Sequence, residues 1–266
     1  FPRNFIAEAM MAVDTLYRSV LYIPGSKPRA LDNARGLAVD AIIFDLEDAV
    51  APDEKASARA ILAGELATGG YGYRQRLIRI NGLDTAWGAD DARAVANMDC
   101  DGVLLPKVES KEDVEALAGI IPDVPVWCMI ETPRGVLNAL EIADCGPVAG
   151  FVLGTNDLAK DVGCATGGDR SAMMASLQLS LLAAKAVGIV CIDGVYNAFK
   201  DAEGLVAESI QGNALGMDGK SLIHPAQVET ANQIFAPSEE AVALAERQIS
   251  AFDEAIAEGQ AVAVVD

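Results

Sequence analysis

Short apolar runs alternate with amphipathic helical stretches along the chain, and the runs number eight. The first, Ser19 to Ile23, ends at Pro24-Gly25-Ser26-Lys27, and the second, Ala41 to Phe44, ends at Asp45-Leu46-Glu47-Asp48. Leu77 to Ile80 carries Arg79 and leads into Asn81-Gly82, and Gly102 to Leu105 ends at Pro106-Lys107. Val126 to Ile130 and Phe151 to Leu153 follow; then come Ile189 to Ile192 before Asp193-Gly194, and Lys220 to Ile223 before His224-Pro225. Helical patterns fall between them at Glu54 to Leu66, Lys111 to Ile120, Arg170 to Val187 and Ala202 to Leu215. Ser110 with Asp113 resembles a capping box with aspartate in place of glutamate. Thr132-Pro133 is a helix start, a hydroxyl cap followed by proline at the first helical position.

Repeated strand-helix units favour a parallel sheet, and eight of them favour a closed (β/α)8 TIM barrel within the α/β class. A doubly wound sheet would normally bring a glycine fingerprint, and the chain has no G-x-G-x-x-G. Gly219-Lys220-Ser221 looks like the end of a phosphate loop, but the required first glycine is Ala214. The division expected is an N-terminal tail over 1–17, a barrel over 18–236, and a C-terminal helix with the start of a tail over 237–266. Met10 or Met11 is a candidate native start, with added residues ahead of it. Lys27, Glu47, Asp48, Arg79, Lys107, Glu131, Asp157, Asp193 and His224 all fall at or just past strand C-terminal ends. In a barrel that face carries the active site.

The apolar fraction of 52% is ample for one large core, and no apolar run is long enough to cross a bilayer. The five cysteines form no Cys-x-x-Cys, and no signal-peptide pattern precedes the barrel, so a reducing cytoplasm is expected. A net charge of -19 argues against nucleic acid or an anionic membrane as partner. A local basic patch remains open, because half of the twenty Lys and Arg residues lie in the first eighty positions. The single histidine, His224, rules out zinc sites built from several imidazoles. Acid-base work therefore falls mainly to carboxylates, lysine or bound water.

Glu131 and Asp157 end consecutive strands, and neighbouring parallel strands lie roughly 4.8 Å apart, so the two carboxylates can converge. They would repel unless one took up a proton or a hard cation sat between them, and oxygen ligands suit magnesium. The alternative is that both only cap or solvate helix starts. Asp45, Glu47 and Asp48 form an acidic cluster that either binds backbone amides or shapes the cation site. Arg79, inside an apolar strand, must find an anion: a buried pair with that cluster, or a substrate carboxylate or developing oxyanion. Lys27 faces a phosphate or only solvent. His224 before Pro225 is either structural or a ligand contact.

Arg18-Ser-Val-Leu-Tyr-Ile-Pro-Gly-Ser26, Phe44-Asp-Leu-Glu-Asp-Ala-Val50, Arg79-Ile-Asn-Gly82, Leu105-Pro-Lys-Val-Glu109, Ile130-Glu-Thr132, Asn156-Asp157 and Gly219-Lys-Ser-Leu-Ile-His-Pro-Ala-Gln227 follow one another in order. With them the chain resembles the citrate lyase β-subunit-like (CitE-like) family of the HpcH/HpaI aldolase superfamily, which includes malyl-CoA and citramalyl-CoA lyases. The resemblance implies magnesium on Glu131 and Asp157 and Arg79 on the substrate. It implies Tyr22 and Lys27 near the coenzyme A thioester, with Asn156, Ile223 and His224 along the substrate wall. The expected reaction is magnesium-dependent carbon-carbon cleavage of a short 3-hydroxyacyl-CoA such as malyl-CoA to acetyl-CoA and glyoxylate. A malyl-CoA thioesterase, or a citrate lyase β-subunit working on a carrier-bound citryl group, is the alternative; a scaffold without turnover fits the intact set poorly. Similar enzymes are trimers or hexamers in which an aspartate beyond the C-terminal helix reaches a neighbouring subunit. That implies a natural chain continuing past Asp266. Within this sequence Glu47 and Asp48 are the candidate proton carriers.

Overall fold

The computed structural model describes residues 15–166 and 169–257. The candidate starts Met10 and Met11 and the tail Gly259 to Asp266 lie outside the described residues. Eight parallel strands close into a barrel in chain order: β1 Ser19–Pro24, β2 Ala41–Asp45, β3 Gln75–Arg79, β4 Gly102–Leu105, β5 Val126–Ile130, β6 Val148–Leu153, β7 Val190–Asp193 and β8 Gly219–Leu222. The ring closes through β1 and β8, with Val20 opposite Ser221. Around it run α1 Pro28–Ala34, α2 Lys55–Thr68, α3 Gly88–Val95, α4 Lys111–Ala118, α5 Pro133–Leu137, α6 Ala139–Ala143, α7 Thr155–Val162, α8 Met174–Val187, α9 Ala202–Leu215 and α10 Val228–Ile234. A last helix, α11 Glu239–Ala257, follows the barrel.

Two strands and one helix depart from the sequence pattern. β3 begins two residues before Leu77 and ends before Ile80, because Arg76 is tied to the next strand's approach by its N–H on Asp101 at 2.8 Å. β6 begins at Val148 rather than Phe151. The expected helix start at Arg170 is wrong: Arg170 sits at φ 55°, a short 3-10 turn follows, and α8 begins at Met174. The arginine is drawn inward to Asp193 and Gln211, both at 2.7 Å, instead of continuing the helix. The two caps form: Asp113 accepts the Ser110 N–H at 2.9 Å, and Thr132 Oγ1 accepts the Gly135 N–H at 3.0 Å.

Side chains alternate in and out along each strand, so residues two apart share a face. The barrel interior is filled by Val20, Ala41, Ile43, Leu77, Leu104, Trp127, Met129, Val152 and Ile192. Trp127 fits only because β4 and β6 lack a side chain beside it. A Cβ on Gly102 would meet its ring at 2.8 Å and one on Gly150 at 2.6 Å. Counting two residues on from Ile43, Leu77 and Met129 gives Asp45, Arg79 and Glu131. The period that packs the core therefore aims three charged groups into the open end of the barrel. Among the described residues no helix is long and apolar enough to cross a membrane.

Asp193, at the same end, does not open on that mouth. It is fully buried, with Lys220 Nζ at 3.0 Å and Arg170 Nη1 at 2.7 Å, and Lys220 also holds Glu208 at 2.7 Å. Burial works to raise its pKa, but the two cations more than offset this and hold the carboxyl below the usual range. Removing one partner from a buried pair leaves a charge uncompensated, so Asp193→Asn is expected to cost on the order of 3 kcal/mol. Because the folded pKa is depressed, this contribution is complete above about pH 3.9 and is lost as pH falls through the folded value. Urea midpoints at neutral pH test it; equal midpoints for variant and wild type would contradict it.

Candidate active site

At the C-terminal end of the barrel a cleft of about 360 Å³ is lined by Tyr22, Asp45, Asp48, Arg79, Glu131, Asn156, Asp157 and Ile223, among others. Arg79 lies at its floor and is 6% exposed. Its Nε and Nη2 bind the two oxygens of Asp45 at 2.8 and 2.6 Å, a bidentate fork. Asp45 in turn accepts the N–H groups of Glu47 and Ala49 at 2.8 and 3.1 Å. The guanidinium thus holds the acidic loop, and its face lies over the Tyr22 ring at 5.0 Å. Burial opposes its charge, but Asp45, Tyr22 and Glu47 outweigh that and keep it protonated.

The third nitrogen, Nη1, is left for the cleft side. It lies 2.8 Å from Glu47 Oε2 and 3.5 Å from Asp48 Oδ2. The Glu47 contact lacks hydrogen-bond alignment, so Oε2 is buried without a hydrogen-bond partner. Burial raises the Glu47 pKa, against the pull of Arg79. Lys55 Nζ donates to the carbonyls of Leu46 and Glu47 at 3.0 and 2.7 Å and fixes this loop from behind.

Glu131 follows β5 directly, and Ile130 is in register with Leu153, which sets Glu131 beside Gly154. A Cβ on Gly154 would lie 2.5 Å from Glu131 Oε2, so the glycine is what makes room for the carboxylate. Asp157 stands in the first turn of α7, where the helix dipole favours an anion. Burial, then the charge of Glu47, pushes the Glu131 carboxyl up to about 8. Lys107 lies between these acids. Its N–H binds Glu131 Oε1 at 2.9 Å, and its Nζ is 3.5 Å from Asp157 and 3.8 Å from Glu47. Burial disfavours that ammonium, yet Glu47, Glu131 and Asp157 raise its pKa. The spot where three carboxylates converge already draws a positive charge.

Among the described residues no group of three or more His, Cys, Asp and Glu side chains forms a metal cage. Magnesium does not need one, since it keeps several waters and takes one or two carboxylates plus substrate oxygens. The room made by Gly154, an all-oxygen donor set and the cation-attracting spot at Lys107 fit that ion.

Three residues of the expected set stand away from the cleft wall. Lys27 is exposed, with Nζ 3.7 Å from Glu54. His224 is exposed, accepts the Ala226 N–H on Nδ1 at 3.1 Å and stacks on Phe199 at 4.6 Å. Glu47 lies behind Arg79 rather than on the wall.

Comparison with known proteins bears on this site. The family described as HpcH/HpaI aldolase/citrate lyase matches residues 18–225, from the residue before β1 to the start of the turn after β8. The chain belongs to that family. Within the HpcH/HpaI aldolase/citrate lyase family it is 58% identical over 250 residues to a (3S)-malyl-CoA thioesterase of Cereibacter sphaeroides (strain ATCC 17029 / ATH 2.4.9), covering 94% of this chain and 88% of the relative. It is 35% identical over 261 residues to the citrate lyase subunit beta of Leuconostoc mesenteroides subsp. cremoris, covering 94% and 86%. Among solved structures it superposes on the Mycobacterium tuberculosis citrate lyase beta subunit with oxaloacetate and magnesium at a TM-score of 0.75, with 32% identity over 84% of this chain and 98% of that one. The M. tuberculosis CitE complex with magnesium, acetoacetate and coenzyme A gives a TM-score of 0.76, with 32% identity and coverage of 89% and 87%.

Proposed function

We propose that this chain acts on the coenzyme A thioester of a short 3-hydroxy acid, malyl-CoA above all, in a magnesium-dependent reaction whose net outcome is thioester hydrolysis. The observation that carries it is one cleft holding Glu131 and Asp157 beside Arg79, whose Nη1 has only a weak hydrogen bond to Met129 Sδ at 3.8 Å besides its ion pairs with Glu47 and Asp48. Relatives at 58% identity named for malyl-CoA thioesterase favour hydrolysis over cleavage. Carbon-carbon cleavage to acetyl-CoA and glyoxylate is the second reading, favoured by the citrate lyase relatives.

Glu131 and Asp157 would hold magnesium, which when bound polarises oxygens of the acid half of the substrate. Arg79 Nη1 donates to oxygen where negative charge builds, and Asp45 keeps the fork oriented for it. Glu47 is the proton carrier we favour: its Oε2 has no hydrogen-bond partner, burial raises its pKa, and from its place behind Arg79 it would reach the substrate through a bridging water. Asp48, exposed at the rim 3.5 Å from Arg79, is the second candidate. Tyr22, Asn156 and Ile223 line the cleft against the substrate. Lys27 and His224, exposed beyond the cleft wall, are assigned to the coenzyme A side.

A homotrimer or hexamer belongs to the same proposal. In α11 only Ala255 is buried, while Val242, Ile249, Phe252 and Ile256 are exposed with the spacing of a coiled-coil seam. Light scattering that returned a monomer would overturn this part.

Incubation with malyl-CoA and magnesium, measuring malate, free thiol, glyoxylate and acetyl-CoA together, tests the reaction. Malate with free thiol is the expected outcome. Glyoxylate with acetyl-CoA would favour the second reading, and the absence of all four would overturn both.

A further inference from the structure

Beside the main cleft lies a second cavity of about 180 Å³, lined by Arg170, Tyr196 and Glu208 among others. The two cavities share Thr155, Asn156, Val195 and Asn197. Two of these four close on each other. Asn156 Nδ2 donates to Asn197 Oδ1 at 3.2 Å, and Asn197 Nδ2 donates to Asn156 Oδ1 at 2.7 Å. Asn156 stands in the first turn of α7, and Asn197 in the loop between β7 and α9. Among the described residues this reciprocal amide pair is the only hydrogen-bonded link between those two segments. Each amide spends its oxygen and one of its two N–H groups on the other, which fixes the two side chains against each other as one wall.

We infer that the Asn156–Asn197 pair is a partition that limits the size of the acid half of the substrate. The inference rests on the acyl-CoA reading above and adds the dimension that reading leaves open. Asn156 and Asp157 line the same cleft as Glu131, so the half of the substrate held near Glu131 and Asp157 lies beside this wall. A hydrogen on the carbinol carbon fits against the closed pair. An alkyl group there meets the amides, which stand exposed at the rim shared by the two cavities, while the space beyond them is already open and of the volume of several methyl groups. With the pair removed, the two cavities join and the same group has somewhere to go.

The experiment compares kcat/KM for malyl-CoA and for its homologue with a methyl group on the carbinol carbon. One methylene at a pocket wall shifts such ratios by roughly 10–200-fold. Asn197→Ala is expected to raise the homologue-to-malyl ratio about tenfold or more. Asn197→Asp keeps the volume and the bond from Asn156 Nδ2 but sets an oxygen against Asn156 Oδ1 in place of the lost donor, so the pair loosens and its ratio rises less than that of the alanine variant. Should Asn197→Ala fold poorly, Asn156→Ala opens the same wall from the other side. An unchanged ratio in a well-folded alanine variant, with wild type turning over malyl-CoA, would overturn the partition and leave the acyl-CoA reading standing. A wild-type protein that turns over neither ester, and binds neither by calorimetry with magnesium, would sink the acyl-CoA reading and the partition with it.

Discussion

Arg79→Lys is expected to lower kcat about 10²–10³-fold, the loss typical of removing one preorganised donor to a developing oxyanion, or roughly 2.7–4 kcal/mol. Charge is retained in this variant; what goes is geometry. In the wild type the guanidinium divides its donors, with Nε and Nη2 on Asp45 and Nη1 towards the cleft. An ammonium is a point charge on a flexible stem and cannot serve Asp45 and the substrate at once. Whichever it chooses, the other is left short. If lysine stays on Asp45, kcat and kcat/KM fall together, because the lost contact is one made only in the transition state. If it moves to the substrate, the buried Asp45 loses its fork, and the acidic loop it organises through the Glu47 and Ala49 amides loosens. Steady-state kinetics beside thermal melting separates the two. Near-normal turnover would mean that Arg79 is a structural partner of Asp45 and nothing more.

Arg79 also illustrates what could be read in advance. Its position in an apolar strand demanded an anion, and the sequence allowed either Asp45 to Asp48 or a substrate; the structure gives it the first while leaving an edge for the second. The barrel itself was legible because most strands are short apolar runs stopped by a turn residue, while β3 and β8 carry Arg76, Arg79, Lys220 and Ser221 within that rhythm. Following the period through Ile43, Leu77 and Met129 would have pointed Asp45, Arg79 and Glu131 inward without any coordinates. Side-chain reach was not legible in the same way. Lys27 and His224 share the signature of the true cleft residues, a polar group just past a strand, but Lys27 turns to Glu54 and His224 caps the turn at Pro225. In the sequence Lys107 is only one more strand-end residue. Its left-handed φ of 51° aims its N–H at Glu131, and its ammonium reaches the acids; no spacing rule signals either. Asn197 lies 41 residues from Asn156, and Arg170 lies 23 from Asp193. Such pairs exist only once the register of β6 and β7 is set.

Magnesium is expected to raise the melting temperature of the wild type, and both Glu131→Gln and Asp157→Asn should abolish that shift along with activity. A ligand that binds only the folded state stabilises by mass action, about 2.7 kcal/mol at a hundredfold excess over Kd. Each substitution removes one of two anionic ligands. A unit charge at roughly 4 Å from another is worth about 4 kcal/mol at an effective dielectric near 20, and the cation carries two. Affinity should therefore fall by at least about a hundredfold, close to 2.7 kcal/mol. The apo protein should behave in the opposite sense. Glu131 is buried close to Glu47 and Asp157, an arrangement that penalises its charged form. Glutamine keeps the acceptor that the Lys107 N–H uses and drops the charge. Without metal, Glu131→Gln should thus melt at or slightly above the wild-type temperature, which a variant that merely damaged the barrel could not do. Asp157 is less buried and its substitution should leave the apo fold nearly unchanged. Calorimetric titration of magnesium into each apo protein gives the affinity directly. Wild-type affinity in both variants would remove Glu131 and Asp157 from the metal site and would leave the charge held at Lys107 as the only role for the acids around it.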